Sequence, residues 1–409
     1  MNGRELDLTG RKPPKDFTRW VILVGVWLLY TTFGVSAASL APLVSSIEAD
    51  LGISHAAMGA VLGVWQFVYI GAAIPCGLLL DRIGTRHAFT LGALLMAGSA
   101  LGRSFAEDHT QLLLTVGLFG LGGPIISAGA PKVVAEWFEG RRRGLAMGIY
   151  ITGPGIGAAL SLSLTNSILM PWLENDWRLV LRFWGALSFI PVVTWFAISW
   201  LPELRRSHQN ISGRWSSTII SLLHLQGVRI VLFMSIGVLF FTHGLGNWLP
   251  ELLRSGGMPM DQAGFWATVP VVIAIFGALL IPRLAIPSRR IFVLLMLFLC
   301  AMGASLLLRG MIGPTFIAGL VLDGLARSSM MIVLILTLVE IEGVGKERAG
   351  TAGGLFFAAA EIGGVSGPVI LGILYDATGD FSAGLGLLTL VSLFLLALLV
   401  LLKKHVWLS

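Results

Sequence analysis

Twelve long apolar segments dominate this chain and leave it few ways to fold. Each is long enough to cross a bilayer as an α-helix of about 20 residues. Hydrophobic residues make up 56% of the sequence and charged residues only 12%, more apolar surface than a soluble domain can bury. We therefore predict an all-α integral membrane protein with twelve transmembrane helices. Their centres lie near Gly34, Gln66, Leu95, Gly123, Gly155, Ser188, Leu239, Val272, Met296, Ala326, Glu361 and Leu393.

One long polar stretch, from Pro202 to Gln226, divides the apolar segments into two groups of six. The second group repeats the first with a shift of roughly 205 residues, so that Arg143-Gly144 corresponds to Ala349-Gly350. We predict an N-terminal tail, a first six-helix bundle, a linker, a second six-helix bundle and a C-terminal tail, at residues 1–19, 20–201, 202–226, 227–402 and 403–409.

The positions of the basic residues predict the orientation in the membrane. With the N-terminus inside, about 20 of the 28 Lys and Arg residues fall in the tails and cytoplasmic loops. Only Arg103, Arg178, Arg254 and Arg309 fall on the opposite side. The basic N-terminus shows no cleavage site after the first apolar segment, so we interpret it as a retained tail. We expect both termini in the cytoplasm and the protein in the cell (inner) membrane.

A short charged segment interrupts the second and third apolar segments. A cluster of one Asp and two Arg cannot lie inside a bilayer, so it must form a tight turn at a membrane face. Gly84 permits the turn, and Asp81 can cap backbone N–H groups there. The pattern Gly77, Asp81, Arg82, Gly84 and Arg86 resembles the signature loop of the major facilitator superfamily.

This resemblance implies the major facilitator fold, with two pseudo-symmetric six-helix bundles and a substrate site between them near the bilayer midplane. It also implies a gating role for the loop, in which Asp81 docks against the inner end of span eleven and helps to hold the outward-open state. A local turn cap is the alternative role for Asp81. The fifth segment, with Gly153-Pro154-Gly155, is similar to the glycine-proline motif of the superfamily's antiporters, and plain helix packing also explains it.

Two segments resemble the cyanate and nitroimidazole transporter family within that superfamily. They are the seventh-span sequence from His243 to Glu251 and the fourth-span sequence from Ala130 to Phe138. The resemblance implies a small, compact substrate and points to an anion. The paired arginines that nitrate porters carry in spans two and eight are absent, since span two offers Gln66 and Tyr69.

Charged residues inside the predicted spans are candidates for the substrate and proton sites, because a charge at the bilayer centre is costly. Asp323 and Arg327 lie four residues apart on one face of span ten, and Glu361 lies at the centre of span eleven. Arg327 is the most deeply placed cation of the sequence. We predict that it binds a negative group of the substrate, with Asp323 or Glu361 exchanging a proton. The alternative is an ion pair that only fixes helix packing.

Polar and aromatic residues of other spans complete the predicted substrate site. His243 and Asn247 share a face of span seven, and Tyr30, Tyr69, Tyr150 and Gln66 fall in spans that line the cavity in the superfamily. Lys132 and Glu136, one turn apart near the end of span four, are secondary candidates. For each, helix packing or snorkelling to the membrane surface is the alternative role.

A secondary active transporter explains the repeat, the signature loop and the sparse buried charges. An intramembrane enzyme would need a convergent catalytic or metal cluster, and no phosphate-binding loop for ATP is present in the sequence. We predict transport of a small organic anion by alternating access, coupled to protons or to exchange. The alternative substrate is a neutral small aromatic or drug-like compound that is exported, and a channel is a further alternative class. We expect a monomer that needs no cofactor, metal or nucleic acid.

Overall fold

A computed structural model describes residues 16–201, 215–310 and 313–406. Within these ranges the protein is helical, and twelve helices are long and apolar enough to cross a membrane. Helices are the structure expected of single apolar segments in lipid, because each helix satisfies its backbone hydrogen bonds internally. The predicted fold class is thus confirmed. We call spans one to six the first half and spans seven to twelve the second half.

The helix bounds follow the apolar segments closely. In the first half they are Asp16–Ala38 and Val44–Leu51 for span one, His55–Gly102 for spans two and three, His109–Trp137 for span four, Gly140–Leu164 for span five, and Trp177–Leu187 with Phe189–Ser199 for span six. In the second half they are Gln226–Ser255, Met260–Leu284, Arg290–Leu307, Pro314–Val339, Gly345–Thr378 and Ser382–Val406.

The predicted linker contains a short helix, Trp215–His224, immediately before span seven. Its most polar part, residues 202–214, lies outside the described residues. The charged turn between spans two and three bends at Gly84, which has φ 75° and ψ 163°. This conformation is strained for any residue with a Cβ atom, which confirms the role predicted for the glycine.

A close helix contact occurs at corresponding places in the two halves. In the first half, Gly157 of span five packs against the backbone carbonyl of Thr31 in span one. In the second half, Gly363 of span eleven packs in the same way against the carbonyl of Ile236 in span seven. A Cβ atom at either glycine would overlap the carbonyl, so only glycine allows this approach. The two contacts are related by the shift that the sequence repeat predicts.

Spans two and eleven join the two halves at one end of the molecule. A Cβ atom at Gly59 would lie 2.6 Å from the carbonyl oxygen of Pro368, and Gly372 packs against the carbonyl of His55. We call this end the His55 face and the end that carries the charged turn the Arg86 face. Toward the Arg86 face, a Cβ atom at Gly77 or Gly353 would meet no described atom within 4 Å.

Spans five and eight make a second contact between the halves on the side of the His55 face. A Cβ atom at Gly264 would lie 2.6 Å from the carbonyl oxygen of Leu162. Close by, the Asn166 amide Nδ2 donates to the carbonyl of Pro42 at 2.8 Å and to that of Met260 at 3.4 Å. This amide therefore links the end of span one with the start of span eight.

Candidate functional site

A cavity of about 420 Å³ lies between the two halves. Its walls come from spans one, two and five of the first half and from spans seven, eight and ten of the second. Its volume falls in the range of small-molecule sites, about 300–1,000 Å³. The cavity contains three of the predicted site residues, Arg327, His243 and Asn247, together with Thr242 and Ser328.

Arg327 gives the cavity its positive charge. Its Nη1 donates to Oδ2 of Asp323, one helical turn earlier, at 3.3 Å. The Asp323 side chain is 0% exposed and does not line the cavity, whereas the Arg327 side chain is 18% exposed and does. Among the described residues, no other hydrogen-bond partner of this guanidinium is found, so most of its N–H groups remain available to a ligand.

Span seven can lie against the Arg327 guanidinium because it carries a glycine there. A Cβ atom at Gly246 would lie 2.7 Å from Nη2 of Arg327. Asn247 follows directly, and its buried Nδ2 has no hydrogen-bond partner among the described residues. The cavity wall thus combines a guanidinium and an amide N–H group, both of which are donors.

Gln66, His243 and Glu361 converge beside the cavity, around Gly364. The Nε2 atom of Gln66 and Nδ1 of His243 are 3.3 Å apart, a hydrogen bond from span two to span seven. A Cβ atom at Gly364 would lie 2.6 Å from Oε2 of Glu361, 3.3 Å from Cγ of Gln66 and 3.6 Å from Cδ2 of His243. Glu361 is 7% exposed, and its Oε2 has no hydrogen-bond partner among the described residues.

The three predicted tyrosines lie outside the cavity lining. The Tyr30 hydroxyl donates to the carbonyl of Ser127 at 3.3 Å, and the Tyr69 hydroxyl shares a hydrogen bond of 2.8 Å with the Ser127 hydroxyl. Tyr150 packs edge-on against Tyr30, with ring centroids 5.3 Å apart. The hydroxyls of Tyr30 and Tyr69 thus serve contacts within the first half.

Phe33 and Trp65 supply the aromatic wall of the cavity instead, and sequence reasoning missed both. Their rings meet edge-on with centroids 5.8 Å apart, and Trp65 has the same arrangement and distance with His243. A signal was available, because Phe33 and Trp65 lie close in sequence to the candidates Tyr30 and Gln66. Helical geometry then decides which neighbour faces the cavity.

The remaining predicted residues lie away from the cavity. Lys132 and Glu136 do not line it, and Lys132 is only partly exposed. In the charged turn, Arg82 is exposed and the Arg86 guanidinium lies 5.4 Å from the centroid of the Trp200 ring. Asp81 is outside the residues whose side chains are described, so its docking against span eleven stays a prediction.

Arg103 is more buried than Arg327, at 1% exposure, which the sequence did not indicate. Its guanidinium donates to Ser39 at 3.1 Å and to Ser99 at 3.4 Å, and lies 5.7 Å from the centroid of the Phe119 ring. No carboxylate pairs with it among the described residues. All these contacts are within the first half, so Arg103 joins spans one, three and four and does not line the cavity.

The described residues contain no group of three or more His, Cys, Asp or Glu side chains that could hold a metal ion. What the cavity offers is a cation, an amide and a histidine facing an aromatic wall. Such a site can bind and orient a small molecule with a negative group.

Comparison with known proteins agrees with this architecture. The sequence matches the Major Facilitator Superfamily over residues 26–368. It is 24% identical to a quinolone resistance transporter of Acinetobacter baumannii, over 93% of each chain. It is 25% identical to a D-galactonate transporter of Escherichia coli, over 92% of this chain and 93% of that one. The crystal structure of a bacterial homolog of the human lysosomal transporter Spinster superposes with a TM-score of 0.79 at 16% identity, over 96% and 98% of the two chains. The chain belongs to the Major Facilitator Superfamily.

Proposed function

We propose that this protein is a secondary active transporter of a small organic anion, with Arg327 as the ligand for the anionic group. The observation that carries the proposal is the Arg327 guanidinium in the cavity between the halves, held by a single hydrogen bond, to Asp323, among the described residues. An arginine is always charged at ordinary pH, and its planar fork suits a carboxylate. The similarity to a D-galactonate transporter, whose name gives an anionic substrate, supports the same class.

Alternating access would depend on the contacts between the two halves that are described above. The halves are in contact at the His55 face. We infer an opening between spans two and eleven at the Arg86 face, where a Cβ atom at Gly77 or Gly353 would meet no described atom within 4 Å. With both termini in the cytoplasm, as the basic residues predict, the space between these spans would face the cytoplasm. Transport then requires these contacts to open and the opposite end to close.

Proton coupling forms part of the same proposal. A substrate carboxylate that binds Arg327 competes with Asp323 for the guanidinium, and it adds negative charge near Glu361. Additional negative charge favours uptake of a proton by a neighbouring carboxyl group. Asp323 and Glu361 are therefore the proposed proton carriers. In its narrower form, the proposal is that the substrate is of the kind carried by cyanate or nitroimidazole transporters.

Export of a neutral aromatic or drug-like compound is the second candidate function. It is favoured by the aromatic wall of Phe33 and Trp65 and by the similarity to a quinolone resistance transporter. Under this alternative, Arg327 would only pair with Asp323 and hold span ten in place.

Ligand binding to purified protein distinguishes the two functions. We expect Arg327→Ala to abolish binding of small carboxylates, and Arg327→Lys to restore it poorly because the planar fork is lost. The matched control is Arg182→Ala, which removes a guanidinium that lies 5.0 Å from the centroid of the Phe105 ring, outside the cavity lining. Unchanged carboxylate affinity in a folded Arg327→Ala protein would exclude the anion site and favour a neutral substrate.

A further inference from the structure

The polar side chains of the cavity wall are distributed unequally between the two halves. Among its described lining residues, the first-half wall carries no hydroxyl, amide or charged side chain, and its one polar group is the indole N–H of Trp65. The larger apolar side chains of this wall include Phe33, Ile151, Pro154 and Leu162, with glycines and alanines between them. All the other polar lining side chains belong to spans seven and ten of the second half.

The first half has polar groups near this wall, but they are used elsewhere. The hydroxyls of Tyr30 and Tyr69 both bind Ser127, and the Trp27 indole donates to the Thr152 hydroxyl at 3.1 Å. A hydroxyl that already has its partner inside a helix bundle gains little by turning to a ligand. The wall therefore offers a substrate apolar contact and almost no hydrogen bonds.

The opposite wall has the donors for one carboxylate. Arg327 supplies the single cation of the described lining, and Asn247, whose buried Nδ2 has no hydrogen-bond partner among the described residues, lines the cavity from span seven. The nearby Ser328 hydroxyl is already committed to its own helix, since it donates to the carbonyl of Leu325 at 2.6 Å. One negative group can be neutralised and hydrogen-bonded here, whereas a second would have no cation to meet it.

We propose that the substrate is a monocarboxylate with an apolar, preferably aromatic, body, and that the site discriminates against polyhydroxylated acids. The inference rests on the proposed function, because it takes Arg327 as the carboxylate ligand. The apolar body lies against Phe33 and Trp65, and the carboxylate meets Arg327 and Asn247. A sugar acid in this cavity would press its hydroxyls against the first-half wall, where they would lose their water without gaining a partner. The chain therefore differs in substrate from the D-galactonate transporter to which it is similar.

Three probes test the proposal on the full-length protein purified in detergent: benzoate, D-galactonate and benzyl alcohol, each titrated calorimetrically. We expect benzoate to bind and D-galactonate to bind at least about 10-fold more weakly. D-galactonate binding as tightly as benzoate, or no binding of benzoate, would overturn the substrate class. The proposed function fails separately if benzyl alcohol binds as tightly as benzoate and Arg327→Ala leaves both affinities unchanged.

A pair of matched variants tests the apolar wall itself. Phe33→Leu removes the ring from the cavity but keeps an apolar side chain there, so we expect benzoate affinity to fall about 10-fold or more. Phe276→Leu makes the same change at an exposed position of span eight that does not line the cavity, and should leave the affinity as it is. Equal benzoate affinities for these two variants and the wild type would show that the ring wall does not select the substrate.

Discussion

The imidazole of His55 lies parallel to the ring of Tyr375, with the two centroids 3.7 Å apart and the planes 7° from parallel. Trp248 stacks on the imidazole as well, at 5.2 Å and 5°. His55 begins span two of the first half, whereas Trp248 and Tyr375 belong to spans seven and eleven of the second half. A single side chain of one half is thus held between two aromatic rings of the other.

Charged groups of three other spans surround this histidine. Its Nδ1 lies 3.2 Å from Glu48 Oε2 of span one and its Nε2 lies 3.8 Å from Glu251 Oε1 of span seven, where Arg254 binds the Glu251 carboxylate. From span eleven, the Asp376 carboxylate accepts from the backbone N–H of His55 at 3.1 Å. The contacts with Glu251 and Asp376 cross between the halves, so they stabilise closure of the His55 face, whereas the contact with Glu48 lies within the first half.

We expect His55→Ala to open the His55 face more often. Each aromatic contact contributes about 0.5–1.5 kcal/mol, and losing about 1.4 kcal/mol shifts a two-state population about 10-fold. Spin labels on cysteines at Glu107 and Asp380 report the distance between the halves at this face, after Cys76→Ala and Cys300→Ala. The distance distribution should shift to longer values.

His109→Ala is the matched control for that experiment. This histidine also lies at the His55 face, but its Nε2 lies 3.2 Å from the carbonyl oxygen of Ala57 within the same half. Its removal should leave the label distances unchanged. Equal distributions in the wild type, His55→Ala and His109→Ala would show that the stack does not hold the halves together.

The contact of Gly363 with the Ile236 carbonyl predicts a large effect of adding one methyl group. In Gly363→Ala the Cβ atom must displace backbone, so we expect destabilisation of about 1–3 kcal/mol and a lower unfolding temperature. Gly353→Ala lies on the same helix with no atom within 4 Å of its Cβ, and should be neutral or stabilising by about 1 kcal/mol. Thermal unfolding of both variants in detergent checks this. Similar unfolding temperatures would contradict the close-packed interface.

We predict that Glu340, just beyond the end of span ten, makes a pH-dependent contribution to the stability of the folded protein. Its carboxylate accepts from Nη2 of the buried Arg290 at 2.9 Å, and this hydrogen bond lowers the pKa of Glu340. Because the folded-state pKa is the lower one, the stabilisation is complete above the ordinary carboxylate pKa and is lost as the pH falls through the lowered value. Glu340 is 49% exposed, so the contribution is about 1 kcal/mol or less.

Thermal unfolding of Glu340→Gln across a pH series tests that contribution. The variant should unfold at a lower temperature than the wild type at neutral pH, and the difference should shrink as the pH falls below the ordinary carboxylate pKa of about 4.3. Glu342→Gln removes an exposed carboxylate two residues away and serves as the control. A deficit of Glu340→Gln that is constant across the series would show that the ion pair is not its source.

The predicted orientation can be tested with single cysteines at described positions on opposite faces. Asp108 lies between spans three and four, and Lys403 lies near the end of the last helix. If both termini are cytoplasmic, a membrane-impermeant maleimide added to intact cells should label a cysteine at position 108 but not one at 403. Both should react after permeabilisation. Labelling of position 403 in intact cells would reverse the topology.

The number of membrane-spanning helices could be predicted from the sequence, because the length of each apolar segment alone determines whether it can cross a membrane. The turn at Gly84 and the candidate Arg327 could be predicted for a related reason, since charge and glycine are conspicuous in an apolar chain. The wall of Phe33 and Trp65 could not be predicted, because many aromatic residues share these spans and only the rotation of each helix selects which face the cavity. The contacts of His55 could not be predicted because it lies at a helix end, where a polar residue does not indicate a particular role.

Glu361 is the strongest candidate for coupling binding to protonation. Its Oε2 atom has no hydrogen-bond partner among the described residues, and it lies beside Gln66 and His243 close to the cavity. A buried ionised carboxylate without a partner is costly, and a bound anion raises that cost further. Substrate binding should therefore favour the protonated acid, and the affinity of the wild type should rise as the pH falls, by up to about 10-fold per pH unit.

Glu361→Gln keeps the shape of this side chain but cannot titrate, so we expect it to bind benzoate with an affinity that depends little on pH. Binding to purified wild type, Glu361→Gln and the exposed control Glu342→Gln should be compared at an acidic and an alkaline pH. The control should keep the wild-type pH dependence. If Glu361→Gln retains it too, Glu361 is not the proton carrier, and Asp323, which competes with the substrate for Arg327, becomes the group to replace next.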